Sequence, residues 1–189
     1  MYNDLNKAKM KKIVIFMISA LVITGGIFAQ DKKDDKAAKK EQRKANIAGE
    51  YALTSAMLDS MQFVLEANTL RDVRGNVSNV SSTLNFIMVD SSTSVIQIGS
   101  NTRIGANGVG GVTAKGSVSK WQVSKNDKQK SFTVSWTLMS SIGIYDVTMF
   151  VSADGTANAT LSGITPGRLY FDGNLVRLSQ SRVYQGRSL

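Results

Sequence analysis

The chain has 189 residues, with 23 Lys and Arg against 14 Asp and Glu, a formal net charge of +9, and neither histidine nor cysteine. That absence excludes disulfides, Ser-His-Asp and Cys-His nucleophilic catalysis and ordinary zinc sites, all of which need an imidazole or a thiolate. The charge does not mark a nucleic-acid binder: residues 1–29, 31–44 and 45–189 each carry a net +3, so the long C-terminal part is nearly balanced and offers phosphates no concentrated footprint.

Lys9 to Ala29 (KMKKIVIFMISALVITGGIFA) joins a basic start, an apolar run from Ile13 to Val22 and a small residue at Ala29, the three-part layout of a secretory signal. The apolar run falls short of the roughly 20 residues that span a bilayer. Residues 1–29 are therefore read as a signal peptide with its start at Met10 and cleavage near Ala29. The mature chain then begins at Gln30, in the periplasm or outside the cell. With no cysteine at the cut to carry a lipid, contact with the membrane is transient, through the signal alone. An uncleaved N-terminal anchor is the alternative.

Residues 30–44 form a charged tether whose alternating signs also suit an exposed helix. Beyond it a single domain is expected over 45–189. Ile47, Tyr51, Leu58 and Met61 recur at spacings of four, seven and three, which predicts an amphipathic helix over Lys39 to Ser60, its stripe docking onto the protein's own sheet.

After Met61 the pattern becomes one of strands and turns. Phe63 to Asn68 and Val73 to Val80 read as a first hairpin, and Thr83 to Val89 and Thr93 to Gly99 as a second, around Asp90-Ser91-Ser92. Val112 to Ser124 follows, with Gly116 as a candidate bulge, and then Ser131 to Met139, where Phe132, Val134, Trp136 and Leu138 alternate with polar residues. Tyr145, Val147, Met149 and Val151 repeat that period of two. Asp154-Gly155 turns into Thr156 to Ser162, and Arg168 to Leu178 is a last strand interrupted at Asp172-Gly173. The fold class is thus mainly β: an antiparallel meander of about eight or nine strands, forming a small lipocalin-like barrel or a two-sheet sandwich behind an N-terminal helix. The barrel is preferred because closure removes exposed edges.

FVLEAN at Phe63 to Asn68, NGVGGVT at Asn107 to Thr113, YQGRSL at Tyr184 to Leu189 and the pair Arg74-Gly75, together with the signal and the Lys-rich spacer, resemble an uncharacterised family of exported bacterial proteins, domain-of-unknown-function family 4251. The resemblance covers about Met57 to the C-terminus. It implies export, a β fold and a Gram-negative source, and it carries over no catalytic or binding residue.

The densest glycine cluster, Ile104 to Val112, lacks the Lys-Ser/Thr ending and following helix of a phosphate loop, and the interleaved Asp of a calcium repeat. It reads as a structural loop. Its functional version is a lip over a barrel mouth, in which Arg103, Asn107, Gly108, Gly110 and Gly111 meet a ligand. Glu66, Asp146 and Asp172 are the carboxylates to test for a hydrolase pair, although the sequence leaves the face of Glu66 open. Trp121, Trp136, Tyr145, Tyr170 and Phe171 are read as core before they are read as a stacking platform, and Arg168, Arg177, Arg182 and Arg187 as scattered surface charge. An outer-membrane barrel is disfavoured by wet strand faces and too few aromatics for two girdles. The functional expectation is an exported, soluble, non-catalytic module without metal or cofactor. It would bind a small apolar or glycan ligand or an envelope protein, and no nucleic acid. A carboxylate-pair hydrolase and an anchored envelope structural protein are the alternatives.

Overall fold

The computed structural model describes residues 36, 38–100, 108–164 and 167–188. The chain divides into two compact units, residues 1–46 and 47–189. In the first, residues 38–46 are helical and exposed, and Lys44 Nζ donates to Glu41 Oε1 at 2.8 Å, so the charge alternation read as a tether supports a helix here.

The second unit opens with helical residues 47–60, ending where the apolar spacing placed the end. Nine strands follow among the described residues: β1 (Gln62–Asp72), β2 (Val77–Asn79), β3 (Phe86–Asp90), β4 (Thr93–Ile98), β5 (Val112–Asn126), β6 (Ser131–Ser140), β7 (Gly143–Ser152), β8 (Thr156–Ile164) and β9 (Gly167–Arg177). They lie in the order β2-β1-β3-β4-β5-β6-β7-β8-β9, each neighbour antiparallel, and β9 pairs back onto β1 from Phe63↔Arg177 to Asp72↔Leu169. The fold is therefore a closed eight-stranded barrel, not a sandwich, with β2 as an extra strand on β1. At eight strands the lumen is just wide enough for side chains to fill it.

Period-two alternation does the filling. Phe63, Leu65 and Ala67 of β1, Phe132, Val134, Trp136 and Leu138 of β6, Val147, Met149 and Val151 of β7, and Phe171 and Leu175 of β9 are all buried in one core. Intervening residues such as Lys115, Lys120, Gln122, Thr133 and Thr148 stand exposed on the outer wall. A lipid-facing barrel needs an apolar band at those positions.

Three sequence expectations are corrected. The β5 irregularity lies not at Gly116 but at Lys120-Trp121, which together oppose Trp136 between the pairs Ser119↔Thr137 and Gln122↔Ser135, with Lys120 at φ 53°. Gly116 pairs regularly with Ser140, and glycine is needed because a Cβ there would run into the carbonyl of Met139. Asp172-Gly173 does not interrupt β9: both residues pair through, and the extra residue is Asn68 of β1, between Ala67↔Gly173 and Thr69↔Asp172. Val73 to Val80 yields only the three-residue β2, because Asp72 turns the chain. Its Oδ1 accepts from the backbone N–H groups of Arg74 and Asn76 at 2.9 Å, and its Oδ2 from Asn76 Nδ2 at 2.8 Å.

The helix of the second unit caps one end of the barrel, over the β5–β6 turn. Leu58 is fully buried, the Tyr51 ring stacks on Phe132 at 4.5 Å, and Tyr51 Oη donates to Asp127 Oδ1 at 2.9 Å. Lys125 Nζ donates to Ser55 Oγ at 2.9 Å and to Asp59 Oδ2 at 2.8 Å. The Lys125 hydrogen bond holds the Asp59 carboxyl below its ordinary value of 3.8, against a smaller opposing effect of burial. A depressed carboxyl adds stability above its unfolded pKa and loses it as pH falls through the folded one. Thermal unfolding should therefore find Lys125→Met less stable than the parent at pH 6, with the gap narrowing below about pH 4. A gap unchanged by acid would remove Asp59 from the account.

Past β9 a short 3-10 turn (Leu178–Gln180) leads into residues 181–188, which cross the outer wall over a second apolar cluster, Val64, Phe86 and Val95, packed by Met88, Val176, Leu178 and Val183. Here the outward residues are buried. Glu66 Oε1 accepts from Ser181 Oγ at 2.7 Å, and Gln97, with no exposed surface, uses both ends of its amide. Its Nε2 donates to the carbonyls of Leu84 (3.1 Å) and Tyr184 (2.8 Å), and its Oε1 accepts from Thr113 Oγ1 (3.0 Å) and the Gly186 N–H (2.7 Å).

Candidate functional site: the open end of the barrel

An up-and-down meander sends alternate turns to opposite ends. One end carries the β3–β4, β5–β6 and β7–β8 turns and the helix. The other carries the β4–β5, β6–β7 and β8–β9 connections and the β1–β2 turn. At this second end β4 and β5 contribute Ile96, Ile98, Val112 and Ala114, β7 contributes Tyr145, and β8 contributes Leu161, lining an apolar cavity of about 140 Å³. Ile96, Ala114 and Leu161 are floor residues buried in the core, whereas Val112 is partly exposed at the rim. The cavity exists because Ala114 is small where facing strands carry large residues. An apolar cavity of this size is on the scale that takes one benzene ring, roughly 150 Å³ in an engineered case, and well under the roughly 300 Å³ at which drug-sized ligand pockets begin.

The glycine-rich connection starts and ends on this rim. The Gly99 N–H donates to Asn85 Oδ1 at 3.0 Å, the Ser100 N–H donates to the Val109 carbonyl at 2.8 Å, and the Val109 side chain is buried. Gly108 and Gly110 take positive φ of 76° and 78°, so their glycines answer a backbone need. Gly111 lies against Ile98, where a Cβ would meet the carbonyl. Arg103 and Asn107, the polar members of the expected lip, lie outside the described residues.

The other candidates separate. Glu66 is engaged by the C-terminal segment. Asp146 Oδ1 accepts from Thr137 Oγ1 at 2.6 Å on the outer wall, and Asp172 sits on β9 between Thr69 and Asn158. None of the three lines the apolar cavity. No group of three or more acidic residues is placed to hold a metal ion among the described residues. Trp136 and Phe171 are core, as their alternation requires. Trp121 packs against Trp136 at 5.5 Å, and Tyr170 lies on the outer wall beneath the Arg71 guanidinium at 4.2 Å. Arg168, Arg177, Arg182 and Arg187 are all exposed. A wider groove of about 490 Å³ runs between the helix end and β9, lined by Ala56, Met57, Ser60, Gln62, Arg177, Leu178 and Ser179.

The sequence reading missed the cavity floor and the buried Gln97. The signal for the floor was Ala114, which with Gly116 makes the start of the inward alternation of β5 small. For Gln97 there was none, since a polar residue between Ile96 and Ile98 reads as solvent-facing.

Among curated proteins none matches the chain. A crystal structure of a DUF4251 family protein from Bacteroides eggerthii DSM 20697 is similar at 29% identity and a TM-score of 0.61, covering 75% of this chain and 97% of that one. The family model described as Domain of unknown function (DUF4251) matches residues 45–175, taking in helical residues ahead of Met57 and stopping short of the YQGRSL string. With barrel, helix and family model in agreement over most of its length, the chain belongs to the DUF4251 family.

Proposed function

We propose that this protein is an exported, non-catalytic binding module of the cell envelope, whose barrel is a packed scaffold and whose open end takes one apolar group of a small ligand or of another envelope protein. The observation that carries this reading is the cavity of about 140 Å³ among Ile96, Ile98, Val112, Ala114, Tyr145 and Leu161, at the one barrel end the helix does not cover. Large side chains fill the rest of the lumen, so what enters is a single ring or a short branched chain, not a whole lipocalin-type ligand. The signal-like segment from Lys9 to Ala29 supports export.

The test uses protein recovered from the envelope fraction of the producing cell, with an N-terminus expected at Gln30, titrated with benzene and indole while methyl resonances are followed. Shifts confined to Ile96, Ile98, Val112 and Leu161, and abolished in Ala114→Phe, are expected. Shifts spread over the surface, or retained in Ala114→Phe, would sink the cavity as the binding site. An intact Met10 terminus in the cytosolic fraction would sink export.

A further inference from the structure

The two ends of the barrel differ in the chemistry of their turns. At the helix end the connections are Ser91-Ser92, Asp127 to Lys130, and Ala153 to Gly155, polar apart from Ala153 and Gly155. At the open end the β1–β2 and β6–β7 tips carry exposed apolar side chains. Val73 and Val77 flank the β1–β2 turn, Val112 begins β5, and Met139, Ile142 and Ile144 surround the β6–β7 turn, all of them exposed. Met139 and Ile144 are directly paired across β6 and β7, so they form one continuous outward patch below Ile142. Single exposed apolar residues are ordinary, but two hairpin tips with the same character at one end, with Val112 exposed at the cavity rim of that end, are a surface.

Around these tips the charge is mostly positive. Arg74 lies in the β1–β2 turn, Lys115 three residues inside the β5 tip, Arg168 at the start of β9, and Arg187 one residue past the Gly186–Gln97 hydrogen bond, all exposed. Two carboxylates, Asp72 and Asp146, stand at the same end; their hydrogen bonds to neutral donors leave them charged, so the four cations exceed the acids by two. Apolar tips that enter only as far as the headgroup boundary, ringed by cations, match an anionic lipid surface in both respects. A protein partner would need a shape fitted to separated tips, whereas a fluid interface does not.

We infer that the open end of the barrel docks on anionic lipid bilayers, with Val73, Val77, Met139, Ile142 and Ile144 inserted at the interface and Arg74, Lys115, Arg168 and Arg187 held over the headgroups. This orientation also faces the apolar cavity toward acyl chains. The docking does not rest on the cavity being occupied.

The chain has no cysteine, so a single fluorophore can be placed at will on the full protein. Ile142→Cys marks the open end and Lys128→Cys the helix end. A signal segment that binds lipid by itself would not distinguish the two labels. With vesicles of phosphatidylcholine and phosphatidylglycerol in equal amounts carrying brominated acyl chains, the Ile142→Cys label is expected to be quenched and the Lys128→Cys label not. Apparent affinity should fall about tenfold or more in pure phosphatidylcholine and in an Ile144→Asp background, since one interfacial contact and the charge attraction are each worth that order. Ile144 is 61% exposed, so this change leaves the core alone. Equal quenching at both labels, no quenching at Ile142→Cys, or quenching undiminished by Ile144→Asp would overturn the inference. Shielding of the Ile142→Cys label that grows with protein concentration without vesicles would overturn it in favour of a second copy of this chain. Ala114→Phe should leave the quenching unchanged while abolishing benzene binding, which separates failure of the docking from failure of the cavity.

Discussion

Replacing Gln97 with leucine is expected to destabilise the protein by about 3 kcal/mol and to free the C-terminal segment from the barrel wall. Leucine keeps the volume and even adds apolar surface, so a transfer argument alone predicts a neutral or favourable change. The hydrogen bonds decide otherwise. Gln97 satisfies the Leu84 and Tyr184 carbonyls, the Thr113 hydroxyl and the Gly186 N–H from a position with no exposed surface. Each partner left unpaired in place costs about 1–3 kcal/mol, which exceeds what one buried methyl gains. Tyr184 and Gly186 escape the penalty by leaving with the segment. The Leu84 carbonyl, fixed beside β4, does not. Urea unfolding should therefore show a lower midpoint, and trypsin should cut at Arg182 faster than in the parent. Stability lost with no change in cleavage would mean that the segment is held by Val183 and Leu178 and not by the amide.

Trp136 allows a second contrast. Its indole is 2% exposed at the centre of the barrel, packed edge-on to Phe63 at 6.2 Å and tilted against Trp121 at 5.5 Å, yet its Nε1 has no hydrogen-bond partner among the described residues. Trp136→Ala should cost about 3–5 kcal/mol, because eight rigid strands cannot collapse onto the space left. Trp136→Phe removes much less volume, worth about 1 kcal/mol of cavity, and also removes a buried donor that holds a penalty of about 1–3 kcal/mol. The two effects nearly offset, so Trp136→Phe should unfold within about 1 kcal/mol of the parent. Denaturant midpoints of the two variants check this. A loss of about 2 kcal/mol or more in Trp136→Phe would show instead that the Nε1 donor is satisfied in the parent.

The bulge at Lys120-Trp121 illustrates how much was readable. Inward positions of β5 run Ala114, Gly116, Val118 and then Trp121, Val123. The apolar parity changes once, at Lys120, and a change of parity within one strand is the sequence mark of an inserted residue. Reading glycine as the bulge marker led instead to Gly116, whose role is to let β6 approach. The face of Glu66 was not readable because Val64 and Leu65 on either side of the strand are both buried, one by the barrel core and one by the C-terminal segment. Two-sided burial erases alternation.

Local chemistry along the chain was enough to determine most of the elements of this protein, Val73 to Val80 excepted. Helical spacing ended the helix at residue 60, and period-two alternation named the lumen residues of β6 and β7. The missing histidine and cysteine removed whole classes of catalysis. These are one-dimensional properties, because side-chain period and donor chemistry follow from neighbours in sequence. The tertiary structure alone decided closure, through pairing of β1 with β9, and the burial of Gln97 under residues far away in the chain. It also decided the gathering of Val73, Val112 and Ile144 at one end. Each depends on which strand lies beside which, and that is set by the balance of loop closure and core packing over the whole chain, which no local pattern records.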